Sequence, residues 1–193
     1  MSSPVGGTAA GGATATRGPM ADAIVGVVGA GAMGSGIAQV ALQRGHRVLL
    51  TDAVYATVLK AGDAIAAAFQ REVDKGRMTP EARTAALDRL QLVEPDHGVG
   101  PFRECGFVIE AIVEKLEVKQ ATFRALELVV SRECLLATNT SSLSVASIAG
   151  GCLYPERVGG VHFFNPAPVM PLVEIIAGVR TDAAVAERAA RLA

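Results

Sequence analysis

The residues whose types and spacing could do chemistry begin with Gly29, Gly31 and Gly34, in the frame G-x-G-x-x-G. Ala32 and Met33 lie inside that frame. A short apolar run, Ile24 to Val28, precedes it, and after Gly36 the pattern turns helical, with Ile37, Val40 and Ala41 at helix spacing. A strand, a glycine turn and a helix start suit a dinucleotide for physical reasons. Gly29 permits the tight turn, and Gly31 lacks a Cβ, so a pyrophosphate can approach the backbone. Gly34 lets helix and strand pack closely, and the helix N-terminus offers free N–H groups and partial positive charge. Asp52 closes a second apolar run, His46 to Leu50, roughly 20 residues past the glycines, where a carboxylate reaches the adenosine ribose hydroxyls. No Arg follows Asp52 directly and a carboxylate repels a 2′-phosphate, so NAD is expected rather than NADP. A glycine frame alone is weak evidence; the strand, the helix and Asp52 supply its context.

A second group could move a proton. His162 falls at the carboxyl end of the apolar run Val158 to Phe164, and Glu174 lies in the next one, Leu172 to Ala177. Glu174 has apolar neighbours on both sides with no alternation to expose it, so it is expected to be buried against a partner. A carboxylate holding one imidazole nitrogen fixes the tautomer and supports positive charge on the ring, which a general base requires. The bland alternatives are a structural histidine and an edge strand with Glu174 in water. The third group is Asn139-Thr140-Ser141-Ser142, which reads either as a helix cap or turn, or as a hydroxyl offered to a substrate oxygen. It is no serine-hydrolase elbow, because G-x-S-x-G is absent.

These groups need elements to hold them. Val54 to Lys75 reads as a helix stopped by Gly76, and Thr79-Pro80 as the cap and first turn of a second helix running to about Arg89. This hairpin is longer than a usual crossover and reads as an insertion. Leu90 to Val93 is a short strand candidate, and Phe107 to Val113 a central strand, apolar except for Glu110. A helix from about Lys115 to Val130, a strand at Leu135 to Thr138 and a short helix at Val145 to Ala149 follow. Beyond the strand ending at His162 and Phe164, a proline-rich loop leads to the Glu174 strand, and Thr181 or Asp182 caps a helix still running at Ala193. Alternating strands and helices predict an α/β fold, a Rossmann-type, mostly parallel sheet with helices on both faces. Ligands gather at the carboxyl ends of such strands, where the glycine loop, Asp52, Ser141 and His162 all fall.

Composition bounds the rest. Half of the 193 residues are apolar, and the net charge is −1. That leaves no electrostatic footprint for nucleic acid or an anionic membrane. Residues 1–20 are Gly, Ala, Ser, Thr and Pro with one charge, Arg17, and are expected to be a disordered tail without a signal core. No charge falls between Asp22 and Arg44; a membrane span is the alternative there, opposed by the glycines, Ser35 and Gln39. Cys105, Cys134 and Cys152 show no metal or C-x-x-C spacing, which suits buried thiols in a reduced, cytoplasmic protein and no metal site.

GAGAMGSGIAQ, VIEAIVE, ATNTSSLS and VHFFNPAPVMPLVEII, in this order from about Ala23 to Gly178, resemble the cofactor domain of the L-3-hydroxyacyl-CoA dehydrogenase family. The proline-rich variant and ATNTSSLS are most similar to bacterial 3-hydroxybutyryl-CoA and 3-hydroxyadipyl-CoA dehydrogenases, the latter belonging to phenylacetate breakdown. The resemblance implies His162 as catalytic base, Glu174 as its carboxylate partner, and Ser141 as the contact to the substrate's 3-oxygen. It places Asn165 in the same active-site motif and Asp52 on the ribose. Ala111, Glu114, Lys119 and Asn139 would line the NAD site, although Glu114 and Lys119 could also be surface residues of a helix start. The implied activity is NAD-dependent oxidation of a 3-hydroxyacyl-CoA. Rival expectations are a dehydrogenase of a free hydroxy acid and a non-catalytic NAD-binding module; retention of Ser141, His162 and Glu174 together opposes the latter.

The family also has a C-terminal helical domain with a further catalytic asparagine, part of the acyl-CoA site and most of a dimer interface. Residues 21–181 would then be the NAD-binding domain and 182–193 the start of a linking helix. The chain is accordingly expected to be a fragment, weakly active by itself, of an enzyme that is a homodimer at full length.

Overall fold

The computed structural model describes residues 23–192. The reading of residues 1–20 as a disordered tail lies outside them. The chain runs β1 (Val25–Val28), α1 (Ala32–Gln43), β2 (Val48–Thr51), α2 (Tyr55–Asp74), α3 (Pro80–Leu87) and β3 (Leu90–Leu92). It continues with β4 (Phe107–Glu110), α4 (Leu116–Glu127), β5 (Leu135–Thr138), α5 (Val145–Ala149), β6 (Val158–Phe163), β7 (Val173–Ala177) and α6 (Ala183–Leu192). Short 3-10 turns at Pro95–His97 and Gly100–Glu104, which the hydrophobic pattern does not signal, bridge β3 to β4.

The strands form one seven-stranded sheet in the order β3-β2-β1-β4-β5-β6-β7. Neighbours are parallel up to β6, whereas β7 runs antiparallel, with His162 opposite Glu174. The order reverses between β1 and β4, the switch point where open α/β sheets bind ligands. One face is covered by α1, α2, α3 and α6, through Ile37, Leu42, Ile65, Phe69 and Val185. The other is covered by α4, α5 and the second 3-10 turn, through Phe102, Phe123, Leu126 and Ile148. Helices on both faces make the central strands mostly apolar, as in VGVV and VLLT, with polar residues only at their carboxyl ends.

The uncharged stretch from Ala23 to Gln43 is β1 plus α1, and no helix among the described residues is long and apolar enough to cross a membrane. Thr79 caps α3 as expected, its hydroxyl accepting from the Ala82 N–H with Pro80 in the first turn. Some expectations are corrected. β4 ends at Glu110, three residues short of Val113, because the chain turns there and Ile112 N–H bonds the Glu110 side chain instead of a neighbouring strand. Thr181 does not cap α6 with its hydroxyl, which accepts from Gly178 N and donates to Val158 O; the Asp182 carbonyl accepts from Val185 and Ala186.

Candidate active site

The glycine turn sits at the carboxyl end of β1. Gly29 has φ +104, in the left-handed region, and a Cβ there would lie 2.4 Å from the Ala111 carbonyl oxygen. A Cβ on Gly34 would lie 1.7 Å from the Gly29 carbonyl oxygen, so helix and turn touch at backbone distance. Gly31 is different, since a Cβ there would meet nothing within 4 Å. Space beside the turn is therefore open. No side chain caps α1 and no acid lies in its first turn, so the N–H groups of that turn, from Ala32 on, have no side-chain acceptor beside the open space at Gly31. An anion is the chemistry that fits such a cradle, and the pyrophosphate of a dinucleotide is one.

Asp52 ends β2 beside the turn. Its Oδ2 accepts from Ala30 N at 2.8 Å and its Oδ1 from Val54 N at 3.1 Å. The carboxylate thus pins the glycine loop to the start of α2, with further lone pairs left for a ribose hydroxyl.

At the far side of the switch point, His162 Nδ1 lies 2.9 Å from Glu174 Oε2. A carboxylate accepts only, so Nδ1–H donates and Nε2 is left as the acceptor. The Phe164 ring meets the imidazole edge-on, with centroids 4.7 Å apart. The expectation that Glu174 is buried is corrected: its side chain is 52% exposed, against 18% for His162. β7 is an edge strand whose outward residues, Glu174 and Ile176, are exposed while Val173 and Ile175 pack inward. The pairing with His162 comes from cross-strand register, not from burial.

Between these two ends lies a polar cluster that the sequence reading named only in part. Glu110, fully buried at the end of β4, accepts from Ile112 N at 2.7 Å, Lys119 Nζ at 2.6 Å and Thr138 Oγ1 at 2.9 Å. Lys119 is itself 1% exposed and reaches Glu114 Oε2 at 3.1 Å. Glu114 accepts in turn from the Thr140 hydroxyl and from Ser142 Oγ at 3.2 Å. Burial alone would raise the Glu114 carboxyl, but hydrogen bonds from Thr140 and Lys119 and the Lys119 charge bring it down to about 2. The sequence reading named Glu110 only as the one charge in a central strand, Thr140 only within the Asn139–Ser142 stretch and Thr138 only as a strand end. The signal for Glu110 was present: a lone charge in an apolar central strand demands a partner, and Lys119 lies one helical turn into α4. Asn139, assigned to the cofactor, accepts from Phe163 N at 2.8 Å and so ties the end of β5 to the end of β6.

Two clefts open on this edge. One, of about 330 Å³, is lined by Met33, Ala111, Glu114, Lys119, Asn139 and Asn165, together with Ser141 and His162. The other, of about 530 Å³, runs between the α5 start and β7 past Glu174 and Val179. Ser141 and His162 border both. Ala111, Glu114, Lys119 and Asn139, which the resemblance places along the NAD site, line the first cleft, while Gly31 and Asp52 lie at the β1 and β2 ends.

A family model described as "3-hydroxyacyl-CoA dehydrogenase, NAD binding domain" matches residues 24–193. The chain is 45% identical over 168 residues to 3-hydroxyadipyl-CoA dehydrogenase of Escherichia coli (strain K12), covering 87% of this chain and 35% of that protein. It is 45% identical over 164 residues to 3-hydroxybutyryl-CoA dehydrogenase of Bradyrhizobium diazoefficiens, covering 84% of this chain and 55% of the relative. A crystal structure of 3-hydroxybutyryl-CoA dehydrogenase from Escherichia coli K12 superposes with a TM-score of 0.85 at 44% identity, over 89% of this chain and 36% of that one. The chain spans between 35% and 55% of the length of the two curated relatives.

Proposed function

This chain belongs to the family defined by the NAD-binding domain of the 3-hydroxyacyl-CoA dehydrogenases, and from that premise we propose that the whole protein oxidises an (S)-3-hydroxyacyl-CoA to the 3-oxoacyl-CoA. The observation that carries this reading is the His162 Nδ1–Glu174 Oε2 hydrogen bond beside a cleft that His162 lines together with Ser141. Bound NAD supplies the hydride acceptor. His162 Nε2 takes the proton of the 3-hydroxyl, and Glu174 stabilises the imidazolium that forms. Ser141 holds the 3-oxygen, and Asn165, across the same cleft, contacts the substrate. Glycine loop, Asp52, Ala111, Glu114, Lys119 and Asn139 position the cofactor.

Relatives named for 3-hydroxyadipyl-CoA and 3-hydroxybutyryl-CoA are equally similar at 45%, so both acyl groups are substrates to test, the first with a role in phenylacetate breakdown. Burial pushes the thiols of Cys105, Cys134 and Cys152 up to about 12, in keeping with inert thiols in a reduced cytoplasm. A homodimer is the assembly proposed for the full-length protein, with no nucleic-acid or membrane partner.

The test uses the full-length protein with acetoacetyl-CoA and 3-oxoadipyl-CoA. His162→Ala is expected to lower kcat by about 10² to 10⁴. Glu174→Gln should also lower kcat, and neither change should alter NADH affinity. Full activity of the His162→Ala enzyme overturns the mechanism, and equal rates on the free oxo acid overturn the CoA substrate.

A further inference from the structure

NAD⁺ and NADH differ at the nicotinamide by one hydride and one positive charge. Their phosphates and riboses are the same, so the glycine cradle and Asp52 treat them alike. Charge near the ring separates them most directly, because the oxidised ring is a cation and the reduced ring is neutral. Of the residues lining the 330 Å³ cleft, Glu114 and Lys119 carry formal charge at neutral pH, and His162 joins them when protonated. Behind them Glu110 is fully buried against the Lys119 ammonium at 2.6 Å. The cluster therefore holds two carboxylates against one ammonium, a net charge of −1. Glu110 and Lys119 are spent on each other in the interior. Glu114 is the member that reaches solvent, with 36% of its side chain exposed.

Resting on the NAD reading above, we propose that the Glu114 carboxylate, backed by Lys119 and Glu110, makes this cleft discriminate by cofactor redox state, favouring the oxidised, cationic ring over the neutral reduced one. The physical basis is direct. Glu114 lines the cleft of about 330 Å³ itself, so a cationic ring bound there would feel its carboxylate with little screening by salt, whose Debye length is about 8 Å at physiological strength. Lys119 keeps Glu114 pointing at the β5–α5 loop, where Thr140 and Ser142 fix it, so the charge cannot swing away from the cleft. The arrangement assists oxidation of substrate by holding the cofactor form that accepts hydride and loosening the form that must leave.

The measurement is calorimetric titration of this chain with NAD⁺ and with NADH, separately, and the readout is the ratio of Kd for NAD⁺ to Kd for NADH. Glu114→Gln keeps the shape and the acceptor oxygen but removes the charge. The ratio is expected to rise roughly three- to tenfold, the scale of one partly screened charge. Glu117→Gln removes the same charge from an exposed site on α4 outside the cleft and should leave the ratio unchanged. Glu114→Asp keeps the charge at the same position lining the cleft and should leave the ratio close to that of the parent. A ratio that stays put in Glu114→Gln, or that moves as much in Glu114→Asp or Glu117→Gln, overturns the proposal. Failure of the parent chain to bind either cofactor overturns the NAD reading itself, and this proposal with it.

Discussion

The two oxygens of Asp52 accept from Ala30 N and Val54 N, so the carboxylate expected to meet a ribose also holds the glycine turn against the start of α2. Asp52→Ala should accordingly do two things at once. NADH affinity is expected to fall by about 1–3 kcal/mol, the scale of charge-assisted hydrogen bonds. The melting temperature should fall too, because two backbone donors lose their acceptor. In the parent chain NADPH should bind more weakly than NADH, and the gap should narrow in Asp52→Ala as the repulsion of the 2′-phosphate is removed. Calorimetry with both cofactors checks this, and equal affinities in the parent would show that Asp52 does not face the ribose. The His162–Glu174 pair was foreseen from their places in successive apolar runs, whereas the burial expected of Glu174 depended on which strand stands at the edge.

Two loops, β4–α4 and β5–α5, are joined by one chain of contacts, Ile112–Glu110–Lys119–Glu114–Thr140. This clasp sets the wall of the cofactor cleft and carries Ser141 on its second loop. Its pH dependence follows from Glu114, whose carboxyl is lowered from 4.5 to about 2 in the folded chain. A depressed folded value means that the stabilisation is fully present above the unfolded value and is lost as pH falls through the folded one. The stability difference between the parent and Glu114→Gln should therefore be constant from about pH 7 to pH 5, decline below about pH 4.5 and vanish near pH 2. Denaturant unfolding of both at several pH values measures it. A difference that is flat down to pH 3 would mean that Glu114 is not clasped in solution.

On the scale of the whole molecule, the sheet order brings the glycine turn, Asp52, the clasp and His162 to one edge, although they lie up to 133 residues apart, from Gly29 to His162. That edge is open. Glu174 is half-exposed beside a 530 Å³ cleft, and Ile176, Val179 and Leu172 stand exposed around it. Water has free access to the His162–Glu174 pair. A polypeptide of these 193 residues is expected to bind NADH but to turn over substrate at least about a hundredfold more slowly than the full-length protein, because small misplacements of the reacting carbon cost that much. Steady-state assays of the two proteins side by side test this, and equal rates would show that the residues described here suffice for turnover.

The glycine frame, the apolar strands and the capping Thr79 were legible in the sequence because each rests on local chemistry. A turn needs φ above zero, a doubly covered strand needs apolar side chains on both faces, and a helix start needs an acceptor. Family resemblance in the quoted motifs added the roles of His162, Ser141 and Glu174. Tertiary structure alone decided three things. It put β7 antiparallel at the sheet edge, which exposes Glu174 while keeping it opposite His162. It closed the Glu110–Lys119–Glu114 cluster, whose members come from a strand, a helix and the loop between them. It also placed Asn139 on the Phe163 amide. Each of these depends on which strands become neighbours and in what direction, and strand neighbourhood is a long-range property that no local pattern of residue types encodes.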